Sequence, residues 1–233
     1  SNKKQSFELA RIMKKHDIFW VVDGARCKSV TYEDLKFYKD HDMICITFGL
    51  ESGSQKMLDI MEKKSSTEDT YKAISNCKKL GISIDPDVLM LAMPGETRKT
   101  VIESTQFNAS LRYLLEMDWN MSNPFLAMAI PGTPLYEYCQ QIGVVGETLD
   151  EEEDYLIRSS EQNNKSILNY VNKTDSSIKE VHYWLYLYQY AGKKAYVDLI
   201  IKSNQSIKNR LLQIYERCIK STYNRLIYNF NLE

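Results

Sequence analysis

The chain has 233 residues, of which 43% are hydrophobic and 26% charged, a composition ordinary for a globular domain. Its formal net charge of −1 gives no indication of binding to nucleic acid or to an anionic membrane. No apolar run reaches the roughly 18 residues of a membrane span, and the polar N-terminal residues do not resemble a secretion signal. We therefore expect a cytoplasmic protein with neither nucleic acid nor a membrane among its partners.

The five cysteines are spread along the chain, at positions 27, 45, 77, 139 and 218. No two of them have the CxxC or CxxxCxxC spacing that binds zinc or an iron–sulfur cluster. We therefore expect no metal site built by local cysteines. The thiols are predicted to be reduced and to pack among apolar side chains rather than to form a disulfide framework.

Four apolar regions predict strands, at 17–22, 43–48, within 82–93 after Pro86, and within 118–130. Helical patterns separate them, so the chain reads as four strand–helix units repeated every 25 to 40 residues or so, roughly the length of a βαβ crossover. Runs that are apolar throughout, such as VLMLAM, are typical of a parallel sheet covered on both faces. The predicted fold class is therefore α/β.

The predicted helices carry recognisable start signals. Ser54, Thr97 and Thr133 each stand where they can cap a helix, and Ser65 with Glu68 has the spacing of a capping box. The helices are predicted at 31–38, 54–61, 65–80, 97–115 and 134–141.

The pattern changes after Gly146. The segment 147–165 is acidic and then polar, and we predict a linker there. Two long helices are predicted beyond it, over about 178–188 and 207–226, and the tyrosine-rich stretch 183–190 is expected to form a packing face. The predicted domains are thus 1–146 and 147–233, the second an acidic linker with a helical region.

Polar side chains follow each predicted strand, in the segments DGARCK, GLESGS, PGET and PGTP. Ligands of parallel sheets bind at these carboxyl ends, because the helix N-termini that follow favour polar and anionic groups. Glu51 could accept hydrogen bonds from ribose hydroxyls or an ammonium, Ser52 could donate one, and Arg26 could hold a carboxylate. The alternative is that such residues only form turns and caps, which we favour for Ser54 and Thr97.

Three motifs in order, FGLESGSQKMLDIM, LMLAMPGETRKTV and AIPGTPLYEYC, resemble the later half of a radical S-adenosylmethionine (radical SAM) enzyme. The resemblance covers roughly residues 17–146. More narrowly, the chain resembles the branch that often carries an N-terminal cobalamin-binding domain. That branch includes the anaerobic magnesium-protoporphyrin monomethyl ester cyclases and many methyltransferases.

The resemblance implies a partial TIM-type barrel, with about four of the family's six βα units in this chain and a C-terminal helical extension. It also implies that polar residues at the strand exits bind S-adenosylmethionine, while it assigns neither catalytic residues nor a metal ligand here. The cofactor-binding candidates are Arg26, Glu51, Ser52, Gly53, Glu96 and Thr133.

Two departures from the family pattern matter. The CxxxCxxC loop that holds a [4Fe–4S] cluster does not occur in the sequence, and Ala92 stands where relatives usually have glycine. We therefore expect a C-terminal fragment, inactive alone, of an enzyme that uses S-adenosylmethionine and a [4Fe–4S] cluster, with cobalamin as an option. Its expected partners are the N-terminal part of the same polypeptide, a reductant protein and a small-molecule substrate.

Two other interpretations remain open. The chain could be a cluster-free scaffold or binding protein, with a homodimer covering the open edge of a half-barrel. An ordinary phosphate-binding TIM-type enzyme is disfavoured, because the sequence has no glycine-rich phosphate loop.

Overall fold

A computed structural model describes residues 3–85, 89–119, 124–160 and 177–203. The helices are α1 (Lys3–Lys15), α2 (Tyr32–Asp40), α3 (Gln55–Ile60), α4 (Thr67–Leu80), α5 (Arg98–Leu115), α6 (Pro134–Gln141), α7 (Leu149–Ser160) and α8 (Ser177–Ser203). The strands are β1 (Trp20–Ala25), β2 (Met43–Phe48), β3 (Ser83–Asp85), β4 (Met90–Leu91) and β5 (Phe125–Leu126). The helix predicted over 207–226 and Cys218 lie outside the described residues.

The strands pair in parallel and in chain order. β1, β2 and β3 form one sheet, and β4 pairs with β5 in a second. A parallel bridge between Glu51 and Leu89 links the two, and the Met90 N–H donates to the Glu51 carbonyl at 2.7 Å. The prediction of an α/β protein with parallel strands is confirmed, while the number of barrel units stays a prediction.

The core lies between the three-stranded sheet and its helices. Met43, Ile46 and Phe48 of β2 are fully buried, and Leu35 of α2 and Ile74 of α4 are buried with them. Burying these side chains is the main stabilising contribution, because each removes a large apolar surface from water. The sheet therefore has a helix-covered face that fixes the strand positions.

The strand predicted at 43–48 is confirmed as β2, whereas the first strand is shifted along the chain. β1 spans Trp20–Ala25 rather than 17–22, so Asp23 lies within the strand. Its pairing with β2 includes a register shift around Gly24, which has a left-handed φ of +70°. Of the described residues within 82–93, Ser83–Asp85 form β3 and Met90–Leu91 form β4, and of those within 118–130, Phe125–Leu126 form β5.

The capping box of α4 uses Ser66 and Asp69, not the predicted Ser65 and Glu68. Both pairs have the same spacing within SSTED, so sequence alone does not choose between them. The predicted end of this helix at Gly81 is confirmed, and that glycine adopts a left-handed φ of +64°.

The second half contains more packed structure than the sequence indicated. Much of the segment predicted as an acidic linker forms α7, where the buried Tyr155 donates its hydroxyl proton to the Ala129 carbonyl at 2.9 Å. Trp184, Leu187 and Tyr188 of α8 are buried, which confirms the predicted packing face, and α8 lies against α5. The boundary at 146/147 stays a prediction. None of the helices in the described ranges combines the length and apolarity needed to cross a bilayer.

Candidate functional site

The loop after β2 is held on helix α5 by buried hydrogen bonds. Ser52 is only 3% exposed, and its hydroxyl shares a hydrogen bond with the Ser104 hydroxyl, at 2.8 Å between oxygens. The Gly53 N–H donates to the same Ser104 oxygen at 3.2 Å, and the Ser54 N–H donates to Ser52 Oγ at 3.1 Å. Ser52 was predicted to bind a cofactor, but the hydrogen bonds of its hydroxyl hold the loop against α5.

Gly53 allows this loop to approach α5 closely. A Cβ at position 53 would lie 2.5 Å from the Cβ of Phe107 and 2.8 Å from the Cα of Ser104. Atoms do not approach so closely without displacement, so glycine is required here for helix packing. The sequence interpretation instead gave Gly53 to a ligand.

Ser54 occupies the N-cap position of α3 but makes no capping hydrogen bond with its side chain. Its hydroxyl instead donates to Glu103 Oε2 of α5 at 2.5 Å. The predicted position of Ser54 at the start of α3 is confirmed, but the prediction that its side chain caps the helix is wrong. The predicted cap at Thr97 is confirmed, because Thr97 and Thr100 form a capping box at the start of α5.

Glu51 lies at the point where the two sheets meet. Its backbone has a left-handed φ of +58°, which is unusual for a residue with a side chain. Its carboxylate accepts a hydrogen bond from Lys63 Nζ at 2.5 Å, and the Glu51 side chain is 14% exposed. The backbone bridge to β4 places Glu51 beside the strand whose exit carries Glu96.

Glu96 is a buried carboxyl group that is incompletely satisfied. One oxygen accepts a hydrogen bond from Thr100 Oγ1 at 3.1 Å, whereas Oε2 has no partner, and the residue is 4% exposed. Burial raises its pKa to about 7, and the hydrogen bond from Thr100, the nearby Ala92 and Met93 amides and the charge of Lys56 lower the pKa only in part. Glu96 can therefore change protonation state near neutral pH.

Ala92, which precedes Glu96 by four residues, has a left-handed φ of +67° and is buried. A left-handed backbone favours glycine, because a Cβ crowds the neighbouring carbonyl oxygen. This geometry gives a physical reason why glycine would be the usual residue at this place.

The other two candidates differ from each other in exposure and contacts. Arg26 directly follows β1 and is exposed, and the neighbouring Ala25 carbonyl accepts a hydrogen bond from the Gly49 N–H at 3.2 Å. Thr133 caps α6: its hydroxyl donates to the Ile130 carbonyl at 2.7 Å and accepts from the Tyr136 N–H at 3.3 Å. The structure thus places Arg26 at the exit adjacent to that of β2, and gives Thr133 a capping role.

Sequence reasoning missed Lys63, which pairs with Glu51, and the polar stripe on α5. Thr100, Ser104 and Asn108 recur every four residues and are all buried. Buried polar residues at core-facing helical spacing are a usable signal, because such groups need polar partners. The ion pair of Lys63 has no comparable signal in the sequence.

The described cysteines are Cys27, Cys45, Cys77 and Cys139, and all are free. Cys27, Cys77 and Cys139 are buried, and burial raises their pKa values to about 11, 12 and 11 respectively. Among the residues that the structure describes, no group of three or more His, Cys, Asp or Glu is placed to hold a metal ion. These thiols do not fit a [4Fe–4S] cluster, which requires clustered thiolates.

Comparison with known proteins gives one family and several relatives. The sequence model of the Radical SAM superfamily matches residues 2–107. An uncharacterized methyltransferase of Pyrococcus horikoshii is 25% identical over 139 residues, which is 59% of this chain and 28% of the relative. The tRNA-2-methylthio-N(6)-dimethylallyladenosine synthase of Clostridium tetani is 25% identical over 170 residues, covering 70% of this chain and 34% of the relative.

A third relative, an uncharacterized protein of Methanocaldococcus jannaschii, is 34% identical over 94 residues, which cover 40% of this chain and 27% of the relative. The chain therefore spans about a third or less of the curated relatives it matches. At the level of the superfamily, the resemblance seen in the strand-exit motifs is confirmed for residues 2–107.

Proposed function

We propose that this chain supplies part of the S-adenosylmethionine-binding site of a radical SAM enzyme. One observation carries the proposal: the segment that matches the superfamily places two carboxyl groups, Glu51 and Glu96, at the exits of adjacent strands. Ligands of parallel α/β folds bind at such exits.

The side chains at these exits fit the polar groups of the cofactor. S-adenosylmethionine carries an ammonium, ribose hydroxyls and a carboxylate. Glu96 Oε2 is buried without a partner, so a donor from a ligand would complete its hydrogen bonding. Glu51 can accept from the ammonium or a hydroxyl, and the exposed guanidinium of Arg26 can pair with the carboxylate.

Each residue then has a defined task. Glu51 and Glu96 would orient the cofactor, Arg26 would bind its carboxylate end, and Ser52 with Gly53 would keep the loop against α5. When bound and reduced by one electron, S-adenosylmethionine supplies the radical chemistry. We assign no catalytic residue in this chain.

The cluster has no site among the described residues, so we assign no step to it here. We propose that the parent enzyme binds the [4Fe–4S] cluster through a segment other than this chain and receives its electron from a reductant protein. A cobalamin domain in the parent stays part of the proposal.

The parent's reaction is methyl transfer, cyclisation or rearrangement of a small-molecule substrate. The printed names of two relatives specify a methyltransferase and a methylthio-forming synthase. Those names favour transfer of a methyl-type group over the other two outcomes.

Binding tests the cofactor site directly. The 233-residue chain would be titrated calorimetrically with S-adenosylmethionine, alongside the E51Q variant and the exposed control E137Q. We expect binding by the wild type and the control, and weaker binding by E51Q. Absence of wild-type binding, or equal binding by all three, would contradict the assignment of the site.

Activity tests the enzyme class. The gene encoding this chain, with its flanking coding sequence, would be expressed anaerobically with iron and sulfide. A brown protein that converts S-adenosylmethionine into adenosine-derived products is the expected result. A protein that binds no cluster would overturn the enzyme proposal.

A second candidate function rests on the edge of the sheet. β1 pairs only with β2 among the described strands, and the side chains of Phe19 and Val21 are 72% and 60% exposed. An exposed apolar edge favours pairing with another strand, as in a homodimeric scaffold. Light scattering after size exclusion tests it: a dimer that the V21K substitution dissociates supports this candidate, and a wild-type monomer contradicts it.

A further inference from the structure

Glu51 has a single charged partner in the described structure, and that partner comes from a separate loop. Lys63 Nζ lies 2.5 Å from Glu51 Oε1, while the two side chains are 37% and 14% exposed, respectively. Within the described ranges, the second oxygen of Glu51 makes no hydrogen bond with the protein. One oxygen is therefore held and the other is available.

The backbone carrying Lys63 is fixed by helix α3. The Lys63 N–H donates to the Leu58 carbonyl at 3.0 Å, and the Glu62 N–H donates to the Asp59 carbonyl at 3.0 Å. Leu58 is buried in turn, at 2% exposure. The ammonium thus extends from an anchored turn rather than from a loose loop.

Unusual backbone conformations occur on both sides of this contact, at Glu51 and at Lys64, which adjoins Lys63. In the described part of the chain, seven non-glycine residues have positive φ. Four of them, at 17, 42, 62 and 116, lie one or two residues after helix ends, where a left-handed residue is common. The other three are Glu51 itself, Lys64, which follows Lys63 in the chain, and Ala92, which precedes Glu96 by four residues. Such conformations persist where surrounding contacts impose them, and they cluster at functional sites.

We propose that Lys63 is a positioning residue that fixes the Glu51 carboxylate for ligand binding. It holds Oε1 through a charge-assisted hydrogen bond, so that Oε2 accepts from an ammonium or hydroxyl donor of the ligand. The proposal rests on the function proposed above, because it takes S-adenosylmethionine as the ligand of this site. Lys63 itself need not touch that ligand.

The test measures binding of S-adenosylhomocysteine, a stable analogue that keeps the ammonium and the ribose, to the 233-residue chain by calorimetry. We expect K63M to bind about 3- to 10-fold more weakly, since a partly exposed charge-assisted bond is lost. K63R should remain close to wild type, because it preserves the charge and the donors. K64M is the matched control, because it removes a neighbouring exposed charge, and its affinity should not change.

Coupling separates positioning from a general charge effect. In an E51Q background, K63M should change affinity by less than about 2-fold, because the charged acceptor is already lost. Equal effects of K63M in both backgrounds, or equal affinities of K63M and K64M, would overturn the role of Lys63 while leaving the proposed function intact. A wild-type chain that binds no analogue would instead count against the proposed function.

A second measurement needs no ligand. Hydrogen–deuterium exchange of the backbone amides at 49–54 should be faster in K63M than in wild type and K64M, because Glu51 loses its tether. Unchanged exchange in K63M would contradict the positioning role whatever the affinities are.

Discussion

The exits of β2 and β4 differ sharply from the exit of β1. Ser52 and Glu96 are 3% and 4% exposed, and both bond to side chains of α5. Arg26 is exposed, and nothing lies within 4 Å of a Cβ built on Gly24. Polar residues with the same sequence pattern therefore serve two purposes: some fix the strand exits to α5 by hydrogen bonds, and others stay available to a ligand.

This comparison teaches how to select ligand residues. A hydroxyl that already makes two hydrogen bonds within the fold, like that of Ser52, has at most one of its three hydrogen-bonding sites left for a cofactor. A buried oxygen without a partner, like Glu96 Oε2, has its full capacity left. The hydrogen-bonding capacity that a side chain retains after folding is thus a better criterion for a ligand-binding residue than its residue type.

The strongest contrast is between the glycines of the two exits. G53A should lower the free energy of unfolding by about 3 kcal/mol, because its Cβ would overlap Phe107 and Ser104. G24A should cost only about 1 kcal/mol, because it meets no atoms but must keep a left-handed φ. Urea unfolding measures both, and equal losses would refute the distinction between the exits.

The buried carboxyl group at the β4 exit should make stability depend on pH. The pKa of Glu96 is raised from 4.5 to about 7 in the folded state, so the folded chain binds more protons than the unfolded chain between these values. The stability contribution of the protonated group is complete below about pH 4.5 and is lost as pH rises towards 7.

When the pH rises from about 5 to about 8, the free energy of unfolding of E96Q should increase by about 2 kcal/mol relative to that of wild type. Urea unfolding at both pH values measures this difference, with E137Q as the exposed control. A stability difference between wild type and E96Q that does not vary with pH would show that folding does not raise the pKa of Glu96.

A smaller effect is expected from the hydroxyl that holds the β2 exit. S104A should cost about 1 to 2 kcal/mol, because it removes the partner of Ser52 and the acceptor of the Gly53 N–H. S29A, which removes the exposed bond from the Ser29 hydroxyl to the Arg26 carbonyl, should change stability by less than about 0.5 kcal/mol. Thermal unfolding of the pair measures the contrast, which disappears if the β2 exit is as loosely held as the β1 exit.

The smallest effect on stability is predicted at Arg26. R26Q should leave the free energy of unfolding within about 0.5 kcal/mol of wild type, because the side chain is exposed. It should nevertheless weaken S-adenosylhomocysteine binding by about 3- to 10-fold if the guanidinium pairs with the ligand carboxylate. A stable variant with unchanged affinity would remove Arg26 from the candidate site.

Local sequence signals predicted a helix boundary well where only one nearby residue was suited to the capping position. Thr97 and Gly81 begin and end their helices as expected, because capping depends on neighbours along the chain. The acidic segment after Gly146 was predicted to be a linker, but most of it forms α7. The prediction relied on the acidic composition of the segment, which a single buried side chain, that of Tyr155, changes very little.

The sequence by itself determined the alternation of strands and helices, the parallel pairing class and the motifs that resemble the superfamily, because these depend on short-range periodicity and spacing. Only the tertiary structure decided that Ser52 and Gly53 serve α5, that Lys63 reaches Glu51, and that Glu96 is buried with an unpaired oxygen. Those contacts join residues far apart in the chain, and hydrogen-bond capacity is used up only when the elements pack together.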